Sequence, residues 1–491
     1  MDPKNELRGV DMTPKNELQR ELEKLIIIPE WSAQEFAGIH VGDARLDARI
    51  LRVSAHFAAQ PQAAIPQACG DWASTKAAYR LFENPKVHPA NLLAPHQQHT
   101  CERMAAYPLV LGIQDTCYFN YTSHSSTQGL GSIGAEADGQ MGLIMHSTLA
   151  VTPAGLPLGV LTQQIWAREA ADPERDAEAR RLLRRRTPIA NKESGKWLTA
   201  LKEAEARHPK GTVLVHVCDS EADVYEMFQE ADDRGARLLV RASHDRALVE
   251  TGRMRDVLSQ RPVSGHLTVE IPAEPGRAAR IATVEVRYGD VTVRPPYRAP
   301  ACEADLRPVT LSLVWVHEIG APSTVSEPLD WLLVTNVPVT SFLEAVERIK
   351  WYRVRWHIEV FHRVLKSGCH VEDCQLERAD KLQRYLSLKS VIAWRLFWMT
   401  QVNRAQPEAV CTVVLSKAEW QALYVAIHQT TQLPDHTPTV RQAVRWIAQL
   451  GGFLGRKHDG EPGVTVLWRG WQRLHDLRRM WQIMQGSSAA K

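Results

Sequence analysis

Long apolar runs are missing from this chain. No stretch approaches the roughly 20 residues that a membrane-spanning helix needs, and the charged N-terminus has no apolar signal-peptide core. A cytoplasmic location with no membrane partner is expected. Cysteine is sparse too: eight residues lie scattered with no C-x2-C pair, and Cys369 and Cys374 are the closest two. That spacing argues against a zinc site and for reduced structural thiols. Net charge is nearly absent. At +3 the chain as a whole offers no bulk attraction to nucleic acid, so any such binding has to come from local patches. Arg180-Arg181-Leu-Leu-Arg184-Arg185-Arg186 is one candidate, and it reads equally well as a solvated loop or helix end.

What is present is length and core material. A chain of 491 residues exceeds one ordinary core, so two to four domains are expected. Its fifteen tryptophans should be mostly core or interface residues, which leaves base stacking open for one or two.

The most informative stretch is Trp351 to Lys366, W-Y-R-V-R-W-H-I-E-V-F-H-R-V-L-K. Read as one helix at 100° per residue, it places Tyr352, Arg355, Glu359 and Lys366 at roughly 0, 300, 340 and 320°, an arc of about 60°. Trp351, Val354, Ile358, Phe361 and Leu365 fall on the opposite side as a buried stripe. One carboxylate thus stands among a phenol and two cations. A salt-bridged surface helix would look similar, so the stretch gains weight only from two others. Pro108-Leu-Val-Leu-Gly-Ile-Gln-Asp115 and Thr212-Val-Leu-Val-His-Val-Cys-Asp219 are short apolar runs that read as buried strands, each ending in an aspartate. A single strand-end Asp is ordinary turn chemistry. Three converging carboxylates repel one another unless cations neutralise them, and hard divalent ions prefer such oxygen ligands.

The spacing Tyr352-x2-Arg355-x3-Glu359-x6-Lys366 resembles the Tyr-Arg-Glu-Lys motif of the insertion-sequence-four family of bacterial DDE transposases. Further similar stretches lie in the same order along nearly the whole chain. They include Gly42-Asp43-Ala-Arg45-Leu-Asp-Ala-Arg49, Ala78-Tyr79-Arg80, Leu130-Gly131-Ser132-Ile133, Lys192-Glu-Ser-Gly-Lys-Trp-Leu198, Cys218-Asp219-x-Glu221-Ala222-Asp223 and Leu450-Gly451-Gly452-Phe453.

The chain in order reads as a multidomain α/β protein. Residues 1–30 hold a near-repeat, Pro3-Lys-Asn-Glu-Leu7 and Pro14-Lys-Asn-Glu-Leu18, with a helix from Thr13 to about Leu25 and the first dozen residues disordered. Residues 31–89 are helical. Strand patterns at Pro108–Asp115, Leu143–Val151, Leu156–Trp166, Val213–Val217 and Arg237–Arg241 alternate with helices at Glu193–Arg207 and Glu221–Arg234. That order is consistent with a ribonuclease H-like mixed sheet over 90–244, which the resemblance also implies. A β-rich insertion (245–340) precedes the last core helix (341–376), and a helical region (377–491) follows.

The resemblance implies a cut-and-paste transposase. Asp115, Asp219 and Glu359 would be catalytic and hold two Mg²⁺ ions, with Mn²⁺ as a substitute. Tyr352, Arg355 and Lys366 would grip DNA phosphates. Arg241 would touch DNA, and Trp331, by default a core residue, would stack on a flipped base. Arg45, Arg49, Lys76 and Arg80 of the N-terminal region are candidate DNA contacts or plain surface cations. The partners implied are double-stranded DNA and a second copy of the chain, paired through the C-terminal helices. Histidines 146, 216, 357 and 362 read as structural rather than as metal ligands, with a supporting role beside the site open for His357 and His362. A catalytically silent DNA-binding protein is the alternative.

Overall fold

The computed structural model describes residues 31–134, 138–169, 176–271, 279–296, 305–323, 325 and 327–489. The near-repeat and the helix expected before residue 31 lie outside the described residues. The chain divides into two compact units: Met1–Pro95, Val364–Cys374 and Leu388–Lys491 form the first, and His96–Arg363 with Gln375–Ser387 the second.

The first unit begins with α1 (Trp31–Glu35), α2 (Ala44–Ala59), α3 (Ile65–Cys69) and α4 (Trp72–Glu83), before α5 (Pro89–Met104) leads into the second. Aspartates start the two long helices. Asp43 accepts from the Arg45 amide at 2.9 Å, and Asp71 from the Ser74 amide at 2.8 Å, which satisfies backbone donors that the helix itself leaves free. Apolar residues at helical spacing then meet: Ile50, Phe57, Leu81 and Phe82 are fully buried, and the Phe57 and Phe82 rings stack at 6.2 Å. Arg45, Lys76 and Arg80 stay exposed, and Arg49 is half-buried.

The second unit is built on a mixed sheet. Its strands are β1 (Leu109–Asn120), β2 (Gly131–Ser132), β3 (Met141–Val151), β4 (Pro157–Trp166), β5 (Val213–Cys218), β6 (Arg237–Arg241), β7 (Gly265–Ile271), β8 (Arg280–Val293), β9 (Val309–Ile319) and β10 (Asp330–Thr335). Between them run α6 (Ala177–Arg186), α7 (Gly195–Arg207), α8 (Tyr225–Arg234) and α9 (Met254–Ser259). Among the described residues the strand order is β2-β3-β1-β5-β6-β10-β9-β8-β7, with β4 also on β3. β1 is antiparallel to β3 and parallel to β5, and β5 is parallel to β6. The β-rich stretch therefore extends this same sheet, because β10 adds to β6 through Leu333 opposite Arg241. Trp197 of α7, Tyr225 and Phe228 of α8, Val293, Val309, Leu313 and Leu332 share one core beneath the sheet.

Two elements differ from the sequence reading. β1 does not end at Asp115 but runs on to Asn120. Thr116-Cys-Tyr-Phe is itself strand-forming, and it pairs with His146 back to Leu143. The expected helix from 351 to 366 is not continuous. It comprises α10 (Phe342–Val354), a break at Arg355, α11 (Trp356–Arg363) and a π turn at Val364–Gly368. At the break the Arg355 amide bonds Tyr352 O at 3.0 Å and the Ile358 amide bonds Arg355 O at 3.2 Å, a three-residue tightening. His357 Nδ1–H donates to Val354 O at 2.9 Å, taking the carbonyl that a regular helix would offer to Ile358.

The first unit resumes with the π turn. The chain continues as α12 (Ala379–Ala405), and α13 (Lys417–His428), α14 (Val440–Leu450) and α15 (Val464–Ala489) complete this unit. Capping boxes start α13 (Ser416 with Glu419) and α14 (Thr439 with Gln442). α14 and α15 approach closely at two glycines: a Cβ on Gly451 would lie 1.8 Å from Val466 O, and one on Gly470 1.8 Å from Ile447 O.

Candidate active site

Strand register brings the two aspartates together. In the parallel pair β1/β5, Ile113 stands opposite Val217. Two residues further along each strand, on the same face by the period of two, come Asp115 and Asp219. Asp219 lies one residue past β5, as expected, and its Oδ1 accepts the Glu221 amide at 2.8 Å, starting a short 3₁₀ turn. Asp115 Oδ1 accepts the amide of Thr116 at 2.7 Å.

Helix α11 supplies the third carboxylate. Arg355 at the helix break reaches both sides: Nη1 is 3.6 Å from Asp115 Oδ2, and Nη2 donates to Glu359 Oε1 at 2.5 Å. Burial and the facing Asp219 carboxylate push Asp115 up to about 7, and Glu359 adds to the push, against the Thr116 amide and Arg355. Both other acids thus act on the charge of Asp115.

A phenol, an indole and a second arginine flank them. Tyr352 is buried, with Arg355 lying 5.9 Å from its ring centre and Trp331 of β10 meeting its ring edge-on at 5.2 Å and 70°. Burial raises its phenol, and the positive fields of Arg241 and Arg355 pull it back. Arg241, at the end of β6, donates to Ser220 Oγ beside Asp219 at 3.2 Å. Asp115, Asp219, Glu359, Tyr352, Arg355, Trp331 and Arg241 therefore gather in the second unit. Lys366 belongs to the first, on the π turn, with its ammonium 3.4 Å from Glu372. Arg45, Arg49, Lys76 and Arg80 lie on the N-terminal helices of that unit.

Two supporting networks were not singled out in the sequence. On the face of β1 opposite Asp115, Thr116 Oγ1 donates to His146 Nδ1 (3.0 Å) and His146 Nε2 to Gln114 Oε1 (3.3 Å). Gln114 Nε2 then donates to His216 Nδ1 (3.1 Å) and His216 Nε2 to Glu205 (2.9 Å). One set of tautomers satisfies every link. Burial holds His146 well below the ordinary histidine range, so it is a neutral, structural residue. The second network centres on Asp223, whose side chain is fully buried. It accepts from the Ser243 and His244 amides at 2.8 Å each and from Arg246, tying the turn after Asp219 to the loop after Arg241. Arg246 in turn lies over the Tyr225 and Phe228 rings at 5.7 and 5.4 Å.

Among the described residues no three His, Cys, Asp or Glu side chains stand ready as a cage for a metal ion; the Arg355 guanidinium stands between Asp115 and Glu359. The donor chemistry nevertheless fits a hard divalent ion. The set is all oxygen, and its most buried member resists ionising beside its neighbours, a cost that added positive charge relieves.

No helix among the described residues is long and apolar enough to cross a membrane. Residues 28–87 match the family model described as transposase DNA-binding, and residues 391–479 match the model described as the transposase Tn5 dimerisation domain. The chain is thus similar to Tn5-type transposases at both ends, which supports a transposase that binds DNA and pairs with a second copy. The two matches flank the carboxylate site without covering it.

Proposed function

We propose that this chain is a cut-and-paste DNA transposase of the DDE type, related to the insertion-sequence-four family, whose cleavage centre is Asp115, Asp219 and Glu359. The observation that carries this reading is the meeting of the three acids between transposase-type DNA-binding and dimerisation segments. The strand order β4-β3-β1-β5-β6, antiparallel in its first part and parallel in its last, supports a ribonuclease H-like core.

Asp115, Asp219 and Glu359 would hold two Mg²⁺ ions, which when bound supply activation of the attacking oxygen and stabilisation of the leaving 3′-oxygen. The rest is done by the chain. Arg355 and Tyr352 grip the phosphates next to the cut through charge-assisted and hydroxyl bonds. Arg355 gives up its bond to Glu359 and its ion pair with Asp115 as it does so, leaving both carboxylates free to act as ligands. Lys366 is a further phosphate contact: its partly exposed pair with Glu372 is worth at most about 1 kcal/mol, so a phosphate can compete for it. Trp331, half-buried against Tyr352, offers a ring face to a base turned out of the duplex. Such a base lets the strand bend into the hairpin through which both strands of an end are cut at one site. Two copies, joined through the C-terminal helices, would restrict cutting to paired ends.

An excision assay tests the reading. A marker flanked by the DNA ends bordering the gene is incubated with protein and Mg²⁺, wild type beside Glu359→Ala. Hairpin-ended or blunt excised fragments from wild type alone support the proposal. Binding without cleavage in both samples would instead indicate a silent DNA-binding protein.

A further inference from the structure

The exposed face of α4 carries a residue that the DNA-binding reading has not used. Trp72, the first residue of this helix, is 77% exposed, although an indole has more to gain from burial than almost any other side chain. The helix start is firmly set. Asp71 holds the Ser74 amide (2.8 Å) and hydroxyl (2.6 Å), and the Thr75 hydroxyl bonds Asp71 O (2.7 Å). On the opposite side Thr75, Ala78, Leu81 and Phe82 are buried, and Phe82 stacks on Phe57 of α2. The indole therefore projects from an anchored helix.

Its neighbours on the surface are cationic and aromatic. At 100° per residue Lys76, Tyr79 and Arg80 fall at about 40, 340 and 80° from Trp72, one arc of about 100°. Lys76 and Arg80 are exposed, and Tyr79 is 39% exposed. Asp71 already takes the donors at the helix N-terminus, so the character of the face comes from its side chains. Two cations interleaved with two aromatics complement a duplex, which offers phosphates beside deoxyribose and base edges. A second copy of this chain would set the cations against each other.

We propose that Trp72 is a DNA-reading residue: α4 enters a groove of the transposon end, Lys76 and Arg80 hold phosphates, and the indole packs on sugars and thymine methyl groups. This rests on the DNA-binding reading of the N-terminal helices. Cations alone bind any sequence, whereas an apolar contact to base edges distinguishes one.

Fluorescence anisotropy with the full chain tests it, using a labelled duplex copied from the inverted repeat bordering the gene and a scrambled duplex. Trp72→Ala is expected to lose about tenfold in affinity for the repeat, with scrambled binding and the salt dependence unchanged. Trp72→Phe should recover most of the loss. Lys76→Ala with Arg80→Ala should weaken both duplexes and lower the salt slope by about 2. Trp72→Gln, with melting temperature recorded for each variant, guards against a folding effect. Wild-type affinity in Trp72→Ala, an equal loss on both duplexes, or a change in self-association without DNA overturns the proposal. If wild type itself shows no preference for the repeat, the end-binding reading fails instead.

Discussion

Asp115 and Asp219 share one register offset across the parallel strands β1 and β5, so that each stands two residues beyond the pair Ile113–Val217. The pairing of β1 with β5, together with the turn that starts at Asp219, thus brings two like charges near each other, and burial together with Asp219 pushes Asp115 up to about 7. A fold that keeps such an unfavourable pair at its centre has a use for it.

The clasp at Asp223 should be the most costly polar feature to remove nearby. Asp223→Ala leaves two loop amides without their acceptor, and the Arg246 side chain, 12% exposed, without its carboxylate and with only the Asp223 carbonyl. A loss of about 3–5 kcal/mol is expected, with a smaller loss for Asp223→Asn, which keeps an acceptor oxygen. Denaturant unfolding measures both. An Asp223→Ala midpoint equal to that of wild type would mean the clasp contributes nothing.

Trp331→Ala should slow hairpin formation more than the first nick, because only the second step needs a base held out of the stack. Time courses on an end duplex labelled on each strand separate the two. Equal slowing of both steps would mean that the indole acts only by packing on Tyr352.

Much of this arrangement was legible in the sequence, because its signals are local. Val213–Cys218 with Asp219 behind it, the β3–β4 hairpin with Gly155 at positive φ, and β6 at Arg237–Arg241 follow from apolar runs and turn residues. The helical reading of 377–491 is met by α12 to α15 among the described residues. What failed to show depends on partners distant in sequence. The continuation of β1 past Asp115 is decided by pairing with β3. The joining of the β-rich stretch to the main sheet is decided by β10 finding β6. The break at Arg355 has no glycine or proline to announce it, only His357 turning back on Val354 O, and the Asp223 clasp joins residues about twenty positions apart. Trp72 looked like another tryptophan of the core until its helix showed which side was packed.

In the first unit Lys389 is fully buried, bonds Pro61 O at 2.7 Å and lies 4.5 Å from the Phe57 ring centre. Burial lowers its amine to about 8, against 10.5 ordinarily, with Cys369, Cys374 and Cys69 acting weakly the other way. Between about 8 and 10.5 the unfolded chain therefore binds this proton and the folded one does not, so the contribution of Lys389 to stability should rise with pH there, by at most about 1.4 kcal/mol per unit. Below 8 both states are charged, and this dependence vanishes. Buried Cys69 and Cys369, pushed up to about 11, act in the opposite sense over the same range in both proteins, so the wild-type minus Lys389→Met difference in unfolding free energy from pH 7 to 10 checks the sign: it should rise with pH. A difference independent of pH would mean that Lys389 is not so shifted.

The central claim is that the three acids cut DNA and do not serve to bind it. Its most direct measurement is single-turnover cleavage of an end duplex in Mg²⁺ and in Mn²⁺ by wild type, Asp219→Asn and Glu359→Gln, with a gel-shift titration of the same duplex run alongside. The account predicts that both variants bind like wild type and lose cleavage by about a thousandfold or more in either metal. Variants that cleave at the wild-type rate, or that lose binding together with cleavage, would contradict it.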